Sequence, residues 1–132
     1  MQRVGGTSCL DAKAVRSADL YGNWLATFSA SPKRPASRAS VTFTPHPETA
    51  GALSGRIVRP ADSTSIAQTS VLAGGIGDGQ FGIEESSDEV NITGLWNGDV
   101  VPNSCGREIR GIWIDPADDS ERGFVLTWQA VR

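Results

Sequence analysis

The chain has one histidine, His46, set between Pro45 and Pro47. A general base needs a pocket and a partner to orient it; a proline-flanked turn offers neither, so His46 reads as a loop residue. Glu84 and Glu85 are adjacent, and neighbours in a strand point to opposite faces, which excludes them as a paired acid and base. Asp88 and Glu89 fall in the next turn, where solvation accounts for both. No serine has a matching histidine and acid, and there is no nucleophile elbow. Asp115, Asp118, Asp119 and Glu121 crowd one turn and could offer oxygens to calcium. Their spacing is not that of an EF-hand loop, and acids are common in exposed turns. The glycines of residues 74–79 lack the lysine and following helix of a phosphate loop. The expectation is a protein that is not an enzyme and uses no cofactor or metal.

Two residue types remain with something to do. Cys9 and Cys105 are the only cysteines, far apart and without metal or redox spacing, and a disulfide between them is the economical reading. It would tie an N-terminal arm to the loop before the seventh strand and imply an oxidising compartment, periplasmic or secreted. Two free thiols in a cytosolic protein are the alternative. Met1-Gln2-Arg3-Val4-Gly5-Gly6 has no apolar core of a signal peptide, and Gly6-Thr7-Ser8-Cys9 is a poor lipidation signal. Trp24, Trp96, Trp113 and Trp128 all fall within expected strands. Tryptophan in a small barrel either fills the interior or walls a ligand cup. With Phe28 and Phe43, these four are the candidate ligand-binding residues, at the barrel interior or mouth.

Positioning these residues requires strands. Residues 1–19 are polar and aperiodic and read as an arm; residues 20–132 read as one β domain. Eight short segments with turn signals between them follow: 21–29, 39–45, 52–59, 65–73, 79–85, 89–97, 107–114 and 122–131. Period-2 alternation supports most of them. It places Trp24, Phe28, Val41, Phe43, Leu53, Ile57, Val90, Ile92, Trp96, Phe124, Leu126 and Trp128 toward one interior. The links are hairpin material: residues 45–51, 74–79, 86–88 and 115–120. None has the helical pattern of a parallel crossover, so the expected fold is all-β, an eight-stranded antiparallel up-and-down barrel, with Trp24 and Trp128 adjacent where the ends of the sheet meet. Three segments repeat apolar-x-Gly-x-apolar: Leu53 to Ile57, Ile92 to Trp96 and Ile109 to Trp113. Glycine inside a strand marks a bend or a close backbone approach.

Charge and hydropathy narrow the partners. The 132 residues carry a formal charge of −3, with 39% hydrophobic and 20% charged residues. No run approaches the roughly 18 apolar residues of a membrane helix. Residues 1–40 hold six basic and two acidic groups, residues 78–121 eleven acidic and two basic. The basic groups are not interleaved with aromatics, which argues against nucleic acid.

Tyr21-Gly22-Asn23-Trp24 resembles the opening Gly-x-Trp strand of the avidin/streptavidin family. Gly51-Ala52-Leu53-Ser54-Gly55 is similar to that family's second hairpin. Ile92-Thr93-Gly94-Leu95-Trp96-Asn97-Gly98, followed by Glu108-Ile109-Arg110-Gly111-Ile112-Trp113, resembles its two later tryptophan strands. The resemblance covers about a third of the chain and implies an avidin-like, calycin-type barrel. The biotin-gripping positions hold Ala26, Ala30 and Ile57, and residues 83–86 contain no tryptophan, so the biotin site is not kept. The function expected is an exported, non-enzymatic binding module for a small molecule or a protein. The alternative is a protein–protein inhibitor, similar to bacterial metalloprotease inhibitors, acting through residues 3–18 of the arm and the basic loop 31–38.

Overall fold

The structure is a computed structural model in which residues 9–62 and 66–130 are described. Eight antiparallel strands close into one barrel in sequence order. They are β1 (Gly22–Phe28), β2 (Ser37–Pro45), β3 (Leu53–Arg59), β4 (Gln68–Gly77), β5 (Gln80–Ser86), β6 (Gly94–Val100), β7 (Glu108–Asp115) and β8 (Ser120–Trp128). Closure pairs β1 with β8, and Trp24 faces Trp128 in that register. The up-and-down order follows from links too short for a crossover, and closure removes the edges an open sheet would expose.

Three strands depart by more than two residues from the bounds the sequence suggests. The sixth strand starts at Gly94, not at residue 89, so Val90 and Ile92 lie in the loop of residues 87–93 and are 83% and 45% exposed instead of interior. The cause is local: the Asp88 carboxylate accepts hydrogen bonds from the backbone N–H groups of Val90 and Asn91 at 2.8 and 2.7 Å. This turn competes with strand pairing. The fourth strand is displaced in the same direction, absorbing most of the glycine segment expected to be a link. Only Asp78-Gly79 turns, both at positive φ (52° and 79°), as a tight two-residue hairpin between twisted strands favours. The expected start of that strand, residue 65, lies outside the described residues. The last strand ends at Trp128, before the expected residue 131, which also lies outside them.

The arm is not a free tail from Cys9 onward. Two short 3-10 turns, Ala12–Ala14 and Ser17–Leu20, lead into β1, and Val15 and Leu20 join the barrel core. The indole N–H of Trp24 donates to the Leu20 carbonyl at 2.8 Å. Cys9 is disulfide-bonded to Cys105, in the loop between β6 and β7. The arm therefore closes the end of the barrel that carries the β2–β3, β4–β5 and β6–β7 links. The other end carries the β1–β2, β3–β4, β5–β6 and β7–β8 links.

The interior is filled. Seven aromatic rings run in contact through it: Trp113 on Phe28 (6.2 Å between centroids), Phe28 on Trp96 (5.4 Å), Trp96 on Phe124 (4.9 Å), Phe124 on Phe81 (6.3 Å), Phe81 on Phe43 (5.8 Å) and Phe43 on Trp24 (6.2 Å). Their tilted and edge-on geometry is the favoured one for aromatic pairs. Glycines on the inner face make room. A Cβ on Gly111 would overlap the Asn97 carbonyl of the neighbouring strand, and one on Gly94 would lie 2.5 Å from the Trp113 indole nitrogen.

Candidate functional site

Where the aromatic column reaches the loop end, the inward stripes of three strands finish in charged residues. Ile57 is followed two positions on by Arg59 in β3, Phe81 and Ile83 by Glu85 in β5, and Phe124 is preceded by Arg122 in β8. Because the side-chain period of a strand is two, all three charged groups point inward. Glu85 is 2% exposed. Four donors converge on it: Arg59 through Nη1 to Oε2 (2.6 Å) and Nη2 to Oε1 (3.2 Å), and the indole N–H groups of Trp96 (2.9 Å) and Trp113 (3.1 Å) to Oε1. Burial alone would push its pKa up and is the largest single influence. The Arg59 hydrogen bonds and charge, with the two indole donors, outweigh it and hold the carboxyl below its ordinary value.

Arg122, 9% exposed, is anchored by neutral acceptors: Nε donates to the Ser29 carbonyl (3.1 Å), and Nη2 to the Pro35 carbonyl (2.9 Å) and Ser37 Oγ (3.2 Å). It ties the β1–β2 loop to β8. Arg59 and Arg122 both lie against the Phe28 ring, their guanidinium carbons 5.5 and 5.1 Å from its centroid. Burial, then the charges of Arg34 and Arg59, lower the pKa of Arg122. On the rim above, Lys33 pairs with Asp118 (3.0 Å) and Arg34 with Asp115 (3.7 Å), so the basic loop and the acidic turn face each other. Ile66, at 81% exposure, and Val90 and Ile92 project from the neighbouring hairpins β3–β4 and β5–β6.

The candidate residues taken from sequence fall at three levels. Phe28, Trp96 and Trp113 surround the Glu85–Arg59 pair at the open end. Trp24 and Phe43 lie deep, in contact with each other at the arm-closed end, and have no free space between them for a ligand. Trp128 is partly buried at the rim of that closed end, covered by the Arg107 guanidinium 3.9 Å from its ring. His46 is far from this cluster in the fold, and its Nδ1 accepts from the backbone N–H groups of Glu48 and Thr49 (3.1 Å each). It borders an open depression of about 510 Å³ shared with Glu84, Leu95 and Asn97.

Sequence reasoning did not single out Arg59 or Arg122, and took Glu85 only as half of an acid–base pair with Glu84 that strand geometry excludes. The signal was present: each extends an inward stripe by one period, and a charge on an interior parity requires a partner. With Glu85 satisfied by four donors and Arg122 by three acceptors, the cluster is an ion-pair and hydrogen-bond centre with an apolar floor. It is suited to holding a polar group in place.

No family profile matches the chain, and no curated protein matches it. Among solved structures a redesigned beta barrel is similar, with a TM-score of 0.56 and 14% identity over 93% of this chain and 100% of that one. At that identity the likeness shows the fold alone: the chain is an eight-stranded, closed, antiparallel up-and-down β-barrel.

Proposed function

We propose that this protein is an exported, non-enzymatic binding module whose binding surface is the open end of the barrel. The filled interior is the observation that carries this reading. Seven aromatic rings occupy the space where a hollow barrel would enclose a small ligand, so recognition falls to the rim. Exposed Ile66, Val90 and Ile92 lie on links at the same end of the barrel as the Arg59–Glu85–Arg122 centre. Exposed apolar side chains grouped on loops around a fixed polar centre suit a protein partner. The Cys9–Cys105 disulfide supports a periplasmic or secreted setting. The barrel topology is compatible with an avidin-like ancestry, and the packing of Ala26 and Ile57 in the core supports a barrel without the biotin site. Calorimetry with biotin is expected to show no binding at sub-micromolar affinity.

The inhibitor reading has less support, because the arm from Cys9 and loop 29–36 occupy opposite ends of the barrel and do not form one contact surface; Arg3 lies outside the described residues. A photocrosslinking series tests the open-end surface. A benzophenone side chain at position 66 is expected to give a protein adduct in the exported fraction of the source cells. Combining it with Val90→Asp and Ile92→Asp should abolish that adduct, whereas a probe at position 71, on the outer wall of β4, should give none. Adducts from position 71 alone, or insensitivity to the two aspartates, would move the surface elsewhere.

A further inference from the structure

The charges at the open end do not balance in pairs. Arg59 has Glu85, Arg34 has Asp115 and Lys33 has Asp118. Arg122 has no carboxylate partner among the described residues. An arginine has five N–H donors in a rigid fork. Three of those on Arg122 are directed at Ser29, Pro35 and Ser37, which fixes the plane of the guanidinium. The remaining two, both on Nη1, have no hydrogen-bond partner among the described residues. Arg122 as a whole keeps 9% exposure. Beside it on the Phe28 ring sits Arg59, whose Nε–H is not used by Glu85.

We infer that Arg122, with Arg59 next to it on Phe28, receives one carboxylate group of the binding partner. A cation held by neutral groups, with its plane already fixed and the two Nη1 donors unused, loses little side-chain freedom when a ligand arrives. Of Lys33, Arg34, Arg59 and Arg122, the first three each have a carboxylate and Arg122 has none among the described residues, so one carboxylate completes the set. A phosphate dianion would bring a second negative charge toward Asp115 and Asp118 on the rim. The carboxylate could come from a side chain or from a chain terminus of the partner; both present the same planar pair of oxygens. This inference rests on the open end being the binding surface.

The test uses the full-length protein labelled with nitrogen-15, following the Arg122 and Arg59 Nε–H and the Trp96 and Trp113 indole resonances. Sodium acetate is expected to shift the Arg122 signal saturably, in the millimolar range, and at least ten-fold more tightly than sodium phosphate at equal ionic strength. Arg122→Gln should abolish the saturable shift while the two indole resonances stay in place. Linear shifts equal to those in sodium chloride would overturn the inference using the wild-type protein alone, even if Arg122→Gln does not fold. Tighter binding of phosphate would overturn the carboxylate assignment. To tell donor sources apart, an acetylated peptide ending in a free carboxylate is compared with its amidated form and with one carrying an internal aspartate; binding by either carboxylate form supports the inference, and equal binding of a carboxylate-free peptide refutes it. Crosslinking from position 66 that survives Arg122→Gln unchanged would keep the open-end surface and discard the carboxylate. Saturable acetate binding without any crosslink would keep the carboxylate site and discard the surface.

Discussion

At the scale of single residues, Glu85 joins the aromatic column to the polar rim. Its carboxylate accepts from the Trp96 and Trp113 indoles and is the counter-ion of Arg59. Removing one partner of a buried pair leaves the other charge uncompensated, a loss on the order of 3–5 kcal/mol. Glu85→Ala is therefore expected to lower the urea midpoint by a corresponding amount. Formate should restore part of it by occupying the vacated place between Arg59 and the two indoles. An unchanged midpoint would mean that the pair contributes nothing. The pH dependence has a definite sign. The folded-state pKa lies below the ordinary value, so the ionised group stabilises the fold fully above the unfolded pKa, near ~4.3. That contribution disappears as pH falls through the folded value. Melting temperatures of the wild type and Glu85→Gln should accordingly converge on acidification below about pH 4.3, with no convergence between pH 6 and 8.

At the scale of elements, the segment that turned out differently from its composition is the arm. Polar and aperiodic, it still contributes Val15 and Leu20 to the core. Two isolated apolar residues give no period to read, and the surface that buries them belongs to strands far away in sequence. The disulfide holds this closure in place. It spans a sequence separation of 96 residues, and restricting an unfolded loop of about that length is worth roughly 4–5 kcal/mol in the chain-entropy treatment. Replacing Cys9 and Cys105 by serine should reduce the unfolding free energy by about that amount in denaturant titrations. Equal stability of the two proteins would show that packing of the arm alone suffices. The loop of residues 87–93 makes the complementary point: Val90 and Ile92 alternate like strand residues, but the Asp88 turn removes their backbone from the ladder and leaves them in solvent.

At the scale of the whole molecule, the barrel is stabilised along its length by one continuous ring column, with Trp24 at the closed end. Trp24 is 1% exposed and holds the arm through the Leu20 carbonyl. Trp24→Ala is expected to cost roughly 3–5 kcal/mol, the range for a large buried aromatic. In a domain stable by about 5–15 kcal/mol, urea titration should show a large fall in midpoint or loss of the folded state. A negligible shift would contradict the core assignment. The same dense filling that makes such truncation costly also leaves the open rim as the surface available for recognition.

By itself the sequence determined the strand count, the antiparallel meander, the pairing of Trp24 with Trp128 and the inward stripes through Phe43, Ile57 and Phe124. These depend on local alternation and on short links, both properties of neighbouring residues. The two cysteines, having no other partner, made the disulfide the economical choice over free thiols. Only the tertiary structure decided that the interior is full, because whether rings from six strands touch depends on barrel radius and register together. It alone converged Arg59, Glu85, Trp96 and Trp113, which come from four strands and share no sequence spacing. It alone left Arg122 without a carboxylate among the described residues, since a counter-ion is assigned by distance in space, and Glu85, Asp115 and Asp118 pair with Arg59, Arg34 and Lys33.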